Sequence, residues 1–204
     1  VFELEGDSIY ENVEKILSYV YEKHESFSEG FAPIKSGDRW GYINLALRVV
    51  LAPRYQVALP VKAGFALVKA VNKYYFWNMT GTNCLRWNSE GYESASPFCN
   101  GLACVKRDGL YGYISSSRSN VEEIPCKFEM AYSFDPEQPC AVVKTGGKYG
   151  VIDKSGNMIV EPIFDSYTTY MRTIGKTLYN ATIDDKYYRL CVDGSYHEVK
   201  MPSC

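Results

Sequence analysis

The sequence lacks the residues and spacings that most familiar site chemistries need. Two histidines, His24 and His197, are all that 204 residues contain, so clusters of imidazole for metal or acid–base work have little to draw on. Seven cysteines (Cys84, Cys99, Cys104, Cys126, Cys140, Cys191, Cys204) include no C-x-x-C pair, which removes the close ligand pairs of a zinc knuckle. No metal is therefore expected. No Gly-rich phosphate loop leads into a helix, so no nucleotide or other cofactor is expected either. A net charge of −2 lacks the clustered positive charge that nucleic acid requires. No apolar run reaches the roughly 18–20 residues of a transmembrane helix. No secretory leader opens the chain, but it begins at Val1 rather than Met, which leaves export open. An odd cysteine count leaves at least one thiol without a partner in the chain. Apolar settings such as LACV and IPCKF read as small buried hydrophobes, which points towards a reducing compartment such as the cytoplasm.

Aromatic residues, in contrast, are plentiful, and 18 of them are tyrosines. Tyrosine suits half-buried sheet surfaces, where the ring packs and the hydroxyl stays wet. One stretch, GDSIYENVEKILSYVYEKHESF, has a helical period instead. Ile9, Val13, Ile16, Leu17 and Val20 recur at spacings of three and four, and Ser8 with Glu11 fits a capping box. The pattern predicts an N-terminal helix within residues 1–28 that covers the end or edge of the rest of the domain.

The remainder repeats. APIK at 32–35, ALVK at 66–69, ACVK at 103–106 and AVVK at 141–144 share one pattern, and ATID at 181–184 is a fifth, altered copy. The alanines lie 34, 37, 38 and 40 residues apart. In the first four copies an aromatic follows eight positions later: Trp40, Tyr74, Tyr111 and Tyr149. WGYIN, YGYIS and YGVID continue three of them, and the prolines of APRY, IPCKF and EPIF close the same three.

Those residues resemble the WG-repeat family, also called KWG repeats, named for the Trp-Gly pair that stands here at Trp40-Gly41. Tyr-Gly replaces it at 111–112 and 149–150, and the Gly-Phe-Ala and Gly-Leu-Ala starts fit as well. The likeness covers about residues 29–200. The second copy departs from it with Tyr74-Tyr75 and an irregular run at 77–98, the fifth with Tyr187-Tyr188. The resemblance implies a β-rich repeat fold, often in bacterial proteins, with no shared chemistry.

Turn chemistry fixes the pairing inside each copy. Asp108-Gly109 and Gly146-Gly147 are two-residue hairpin turns. Folding there sets Lys106 opposite Tyr111, Ala103 opposite Ile114, Lys144 opposite Tyr149 and Val143 opposite Gly150. Gly37-Asp38 sets Lys35 opposite Trp40. In the fifth copy, a turn at Asp185-Lys186 sets Asp184 opposite Tyr187 and Ala181 opposite Leu190. Alternation gives one tight face of Ala, Val/Ile and Gly, and an opposite face where a lysine stem lies on an aromatic ring with its ammonium in water. A third strand bearing the proline completes the unit, and the proline marks an edge, a bulge or the strand's end.

The expected fold is mainly β: an antiparallel meander of about five three-stranded units, starting near 30, 64, 101, 139 and 179 within residues 29–204. The array is solenoid-like or partly closed, with a β-propeller-like arrangement as the alternative, disfavoured by three strands per unit where a blade has four. The expected function is noncatalytic binding of a protein or peptide, or of a glycan through exposed rings. The ligand-binding candidates are Lys35, Trp40, Lys69, Trp77, Trp87, Tyr92, Lys106, Tyr111, Lys144 and Tyr149. Trp77, Trp87 and Tyr92 fall where the repeat breaks down, and irregular loops on a repeat scaffold often carry function. Asp153, Glu161 and Asp165 read as solvated turn residues. A Cys-dependent enzyme using Cys191 and His197 is a weaker reading, and no catalytic residue is assigned.

Overall fold

The computed structural model describes residues 21–80, 85–86, 90–117, 122–134, 139–169, 179–191 and 194–199. The helix expected over residues 6–27 lies outside these up to residue 20. Its described end is extended, with β1 (Lys23–His24) paired to β2 (Phe31–Ser36). No described residue is helical.

Among the described residues, twenty strands form five antiparallel sheets of four, each a simple meander in chain order. The first holds β1, β2, β3 (Arg39–Asn44) and β4 (Val49–Tyr55). The second holds β5 (Val57–Ala58), β6 (Phe65–Ala70), β7 (Lys73–Asn78) and β8 (Leu85–Arg86). Next come β9 (Ser94–Ala95), β10 (Leu102–Arg107), β11 (Leu110–Ser115) and β12 (Glu122–Phe128). The fourth is β13 (Met130–Ala131), β14 (Cys140–Thr145), β15 (Lys148–Asp153) and β16 (Met158–Phe164). The fifth is β17 (Ser166–Thr169), β18 (Tyr179–Ile183), β19 (Lys186–Leu190) and β20 (Tyr196–Glu198). The expectation of three strands per unit is corrected: each sheet gains an outer first strand, in four of the five only two residues long and too short for any periodicity to show. A four-stranded meander is also the building unit of propeller blades. The chain divides into two compact units, Val1–Gly91 and Tyr92–Cys204.

The central hairpins pair as their turns dictate. Lys35 faces Trp40, Lys106 faces Tyr111 and Lys144 faces Tyr149, and Lys69 faces Tyr74 in the second sheet. Asp108 and Gly109 both take positive φ, 52° and 79°, as a type I′ turn requires. The fifth hairpin differs from expectation. It turns at Asp184-Asp185, with φ of 46° and 63°, and pairs Thr182 with Tyr187 and Ala181 with Tyr188. Aspartate tolerates the left-handed region better than lysine does, so the turn settles on the two aspartates and leaves Lys186 in the strand.

A second pattern recurs outside the ladders. The residue after the last aromatic of one copy reaches the turn of the next hairpin and accepts a hydrogen bond from its backbone. Gln56 accepts from Asn72 N–H, Glu93 from Gly109, Glu129 from Gly147 and Asp165 from Asp184, at 3.1–3.3 Å. These acceptors satisfy backbone donors that the tight turn would otherwise leave to solvent.

Within each unit neighbouring sheets pack face to face. In the first unit Tyr42, Leu51 and Tyr55 of the first sheet pack on Ala66 and Val68 of the second. In the second unit Cys104, Tyr113 and Phe128 pack on Ala141, Val143 and Ile152, and Val142, Val151 and Phe164 of that next sheet pack on Ala181 and Leu190. Within each unit the aromatic face of one sheet therefore meets the small-residue face of the next. Buried tyrosine hydroxyls fasten the layers: Tyr42 donates to the Leu59 carbonyl at 2.5 Å and Tyr113 to the Tyr132 carbonyl at 2.7 Å. Burial pushes the Tyr42 hydroxyl well above its ordinary titration range.

Candidate functional site

Gly41, Gly112 and Gly150 occupy one equivalent position, opposite Ile34, Val105 and Val143. At each, the fourth strand of the sheet folds over the bare backbone and the ladder shifts register. A Cβ at Gly112 would lie 2.5 Å from the Ile124 carbonyl oxygen, and one at Gly150 would lie 2.7 Å from that of Val160. Pro53, Pro125 and Pro162 sit at these bulges, where a missing N–H costs no ladder bond.

The second and fifth sheets place a tyrosine at this position, Tyr75 opposite Val68 and Tyr188 opposite Ala181. β20 pairs with β19 in unbroken register, and the described residues of β8 pair with Trp77 and Asn78 of β7. The Tyr75 ring instead lies against Gly91, where a Cβ would approach it to 2.6 Å.

Beside Tyr75 opens a cleft of about 340 Å³ lined by Arg54, Tyr55, Ala70, Val71, Tyr75 and Trp77. Alternation on β6 and β7 aims Ala70, Tyr75 and Trp77 at the first sheet, whose β4 supplies Arg54 and Tyr55. Tyr55 and Trp77 meet edge to face, with ring centres 6.4 Å apart. The Arg54 guanidinium lies 5.3 Å from the Tyr55 ring centre and 5.8 Å from that of Trp77, and its Nε donates to the Tyr55 hydroxyl at 3.1 Å. Val71 forms the rim at the hairpin tip, 88% exposed, with φ of 47°. A β-branched residue rarely occupies that region, so an exposed valine there is strained backbone without burial to compensate it.

The sequence-based candidates distribute unevenly around this cleft. Trp77 is a wall of it, whereas Trp87 lies outside the described residues. Tyr92 is 2% exposed, with the Arg107 guanidinium 4.9 Å from its ring centre, so it is core and not a ligand surface. The lysine–aromatic pairs are present but self-contained. Lys69, Lys106 and Lys144 stand 5.1–5.3 Å over Tyr74, Tyr111 and Tyr149. Lys35 faces Trp40 across the strands, yet the ammonium over that ring is that of Lys23 on β1, at 5.7 Å. Thr182, not Asp184, holds the equivalent place in the fifth sheet.

A second aromatic group lies in the second unit. Tyr132 is 39% exposed, and its ring centre is 5.3 Å from that of Tyr167, which is 6.2 Å from that of Tyr149. Desolvation first, then Tyr149 and Tyr111, raises the Tyr132 hydroxyl above its ordinary value. Sequence reasoning missed Tyr132, Tyr167 and Arg54, because each matters through a neighbour on another sheet or strand. His197 is exposed opposite Arg189, and Cys191 is half-buried, its backbone N–H donating to the Ser195 carbonyl at 2.8 Å. Cys104 is buried and its thiol is pushed up to about 12, mainly by desolvation and then by Cys126. Among the described residues no group of three or more His, Cys, Asp or Glu could hold a metal. No described helix is long and apolar enough to cross a membrane, which says nothing of strands.

Bulge glycines, edge prolines and stacked four-stranded meanders define a β-repeat protein. The chain belongs to the family of WG containing repeats, which it matches over residues 14–40, 40–75, 91–111, 111–149 and 149–170. The search of curated proteins found no match. Solved structures with a similar backbone include Kluyveromyces lactis Hsv2, at 8% identity and a TM-score of 0.47 over 86% of this chain and 62% of that one. Apo AztD from Citrobacter koseri is similar at 10% identity and a TM-score of 0.49, over 85% of this chain and 57% of that one. Virginiamycin B lyase from Staphylococcus aureus is similar at 15% identity and a TM-score of 0.37, over 87% and 69%. The chain spans 62–64% of the length of four Hsv2 structures that it resembles.

Proposed function

We propose that the chain is a noncatalytic binding module that recognises an extended segment of another protein in the first-unit cleft. The observation that carries this is the pair of half-buried rings Tyr75 and Trp77, backed by the buried Tyr55, beside the strained, exposed Val71. Flat rings that hold little side-chain entropy give binding area at low ordering cost, and aromatic-lined grooves suit extended peptides. Strain at a surface tip is retained where a tip has a task beyond folding. Selection of displayed random peptides on the 204-residue chain tests the reading. Peptides that bind the wild type and not Trp77→Ala support it, and peptides indifferent to Trp77 refute it.

A glycan is the second reading, favoured by the exposed Tyr132 ring beside Tyr149 and Tyr167. Sugar rings stack on such faces, and the neighbouring Lys144 offers a donor. A glycan array read with wild type and Tyr132→Ala decides it: signals that vanish in the variant support a sugar site, and an empty array removes it.

A further inference from the structure

Arg54 is the charged member of the cleft, and its surroundings dictate what it can still do. Two rings hold its guanidinium, and its Nε is spent on the Tyr55 hydroxyl. That leaves the two terminal nitrogens, whose parallel N–H groups match the two oxygens of a carboxylate. No carboxylate lines the cleft, and among the described residues none pairs with Arg54. Stacking fixes the fork before any ligand arrives, so less side-chain freedom is lost on binding. Next to it, Ala70, Val71 and Trp77 offer an apolar surface one side chain away.

We propose that the cleft selects an acidic peptide, in which an Asp or Glu side chain meets the Arg54 fork and an adjacent proline or aliphatic residue lies on Trp77 and Val71. The inference rests on the cleft's being the peptide site and adds the chemistry of the peptide. A cationic, ring-lined trough repels basic segments and leaves neutral ones without a partner for the guanidinium. The charge specifies the sequence and the rings hold the chain.

Display of random twelve-residue peptides on phage, selected on the whole chain, tests this directly. The selected pool is expected to be enriched several-fold in Asp and Glu beside Pro, Leu, Ile or Val. A synthetic member should bind Arg54→Gln at least tenfold more weakly, and its own Asp→Asn version should lose as much. Affinity should also fall as salt rises. Arg54 is exposed, so its replacement leaves the core intact, and a thermal unfolding curve confirms that. If the pool binds in a Trp77-dependent way but carries no acidic enrichment, or binds Arg54→Gln unchanged, the acidic preference is wrong and the peptide cleft stands. If no peptide distinguishes wild type from Trp77→Ala, both fall together.

Discussion

Gly112 lies directly beneath Ile124, so close that a methyl group on its α-carbon would sit 2.5 Å from the Ile124 carbonyl oxygen. That contact explains a residue type by what crosses over it. With glycine at this position β12 bulges across β11, and with tyrosine at 188 β20 runs straight along β19. In the first unit the tyrosine at this position, Tyr75, lines the cleft. Gly112→Ala should therefore destabilise the chain by about 1–3 kcal/mol, since backbone rather than a pliable side chain must give way. Urea unfolding monitored by circular dichroism checks it, with Gly109→Ala as a comparison whose cost is turn strain and not a clash.

Val71→Asn separates stability from function. Asparagine accepts the left-handed backbone of a type I′ turn, so the variant should be more stable by about 1 kcal/mol. The same change removes the apolar rim of the cleft, so peptide binding should weaken. Thermal unfolding and a binding titration on one preparation must move in opposite directions.

Much of this fold was legible because its signals are local. Two-residue turns, an alternation of small and aromatic residues and a period of 34–40 residues sufficed to set Lys144 opposite Tyr149. Glycine was legible as a close-approach residue, though not which strand approached. The fifth hairpin slipped by two residues because Asp184, Asp185 and Lys186 offer competing turns whose ranking depends on backbone φ. Outer strands such as Lys23–His24 carry no period at two residues. The cleft was half legible. Trp77 stood out where the repeat failed, but Arg54 reads in sequence as an ordinary edge-strand cation, and only folding brings it over the Trp77 ring.

The reach from Glu129 to the next hairpin gives another test. Its carboxylate accepts the Gly147 N–H from both oxygens at 3.2 Å. Glu129→Ala should cost about 0.5–1.5 kcal/mol, and Glu129→Gln, which keeps one acceptor, should cost less. Hydrogen exchange at Gly147 should quicken in the alanine variant before global unfolding changes much.

Acid should weaken the second unit through two carboxyls. The Asn157 side chain first, then backbone N–H groups, holds Asp153 below the usual carboxylate range. For Asp165 the leading cause is Lys148, then Asp184 N–H. A carboxyl depressed in the folded state contributes its stability in full above its unfolded value, about 3.9, and loses it as pH falls through the folded value. Unfolding midpoints should be flat near neutrality and fall below about pH 4, less steeply in a chain carrying Asp153→Asn and Asp165→Asn.

The most direct test of the binding account is a titration of the isotope-labelled chain with a display-selected acidic peptide, followed by backbone and indole N–H resonances. The account predicts shifts at Arg54, Tyr55, Ala70, Val71, Tyr75 and the Trp77 indole, all lost in Arg54→Gln. Shifts gathered instead at Tyr132, Tyr149 and Tyr167, or spread without a centre, would contradict it.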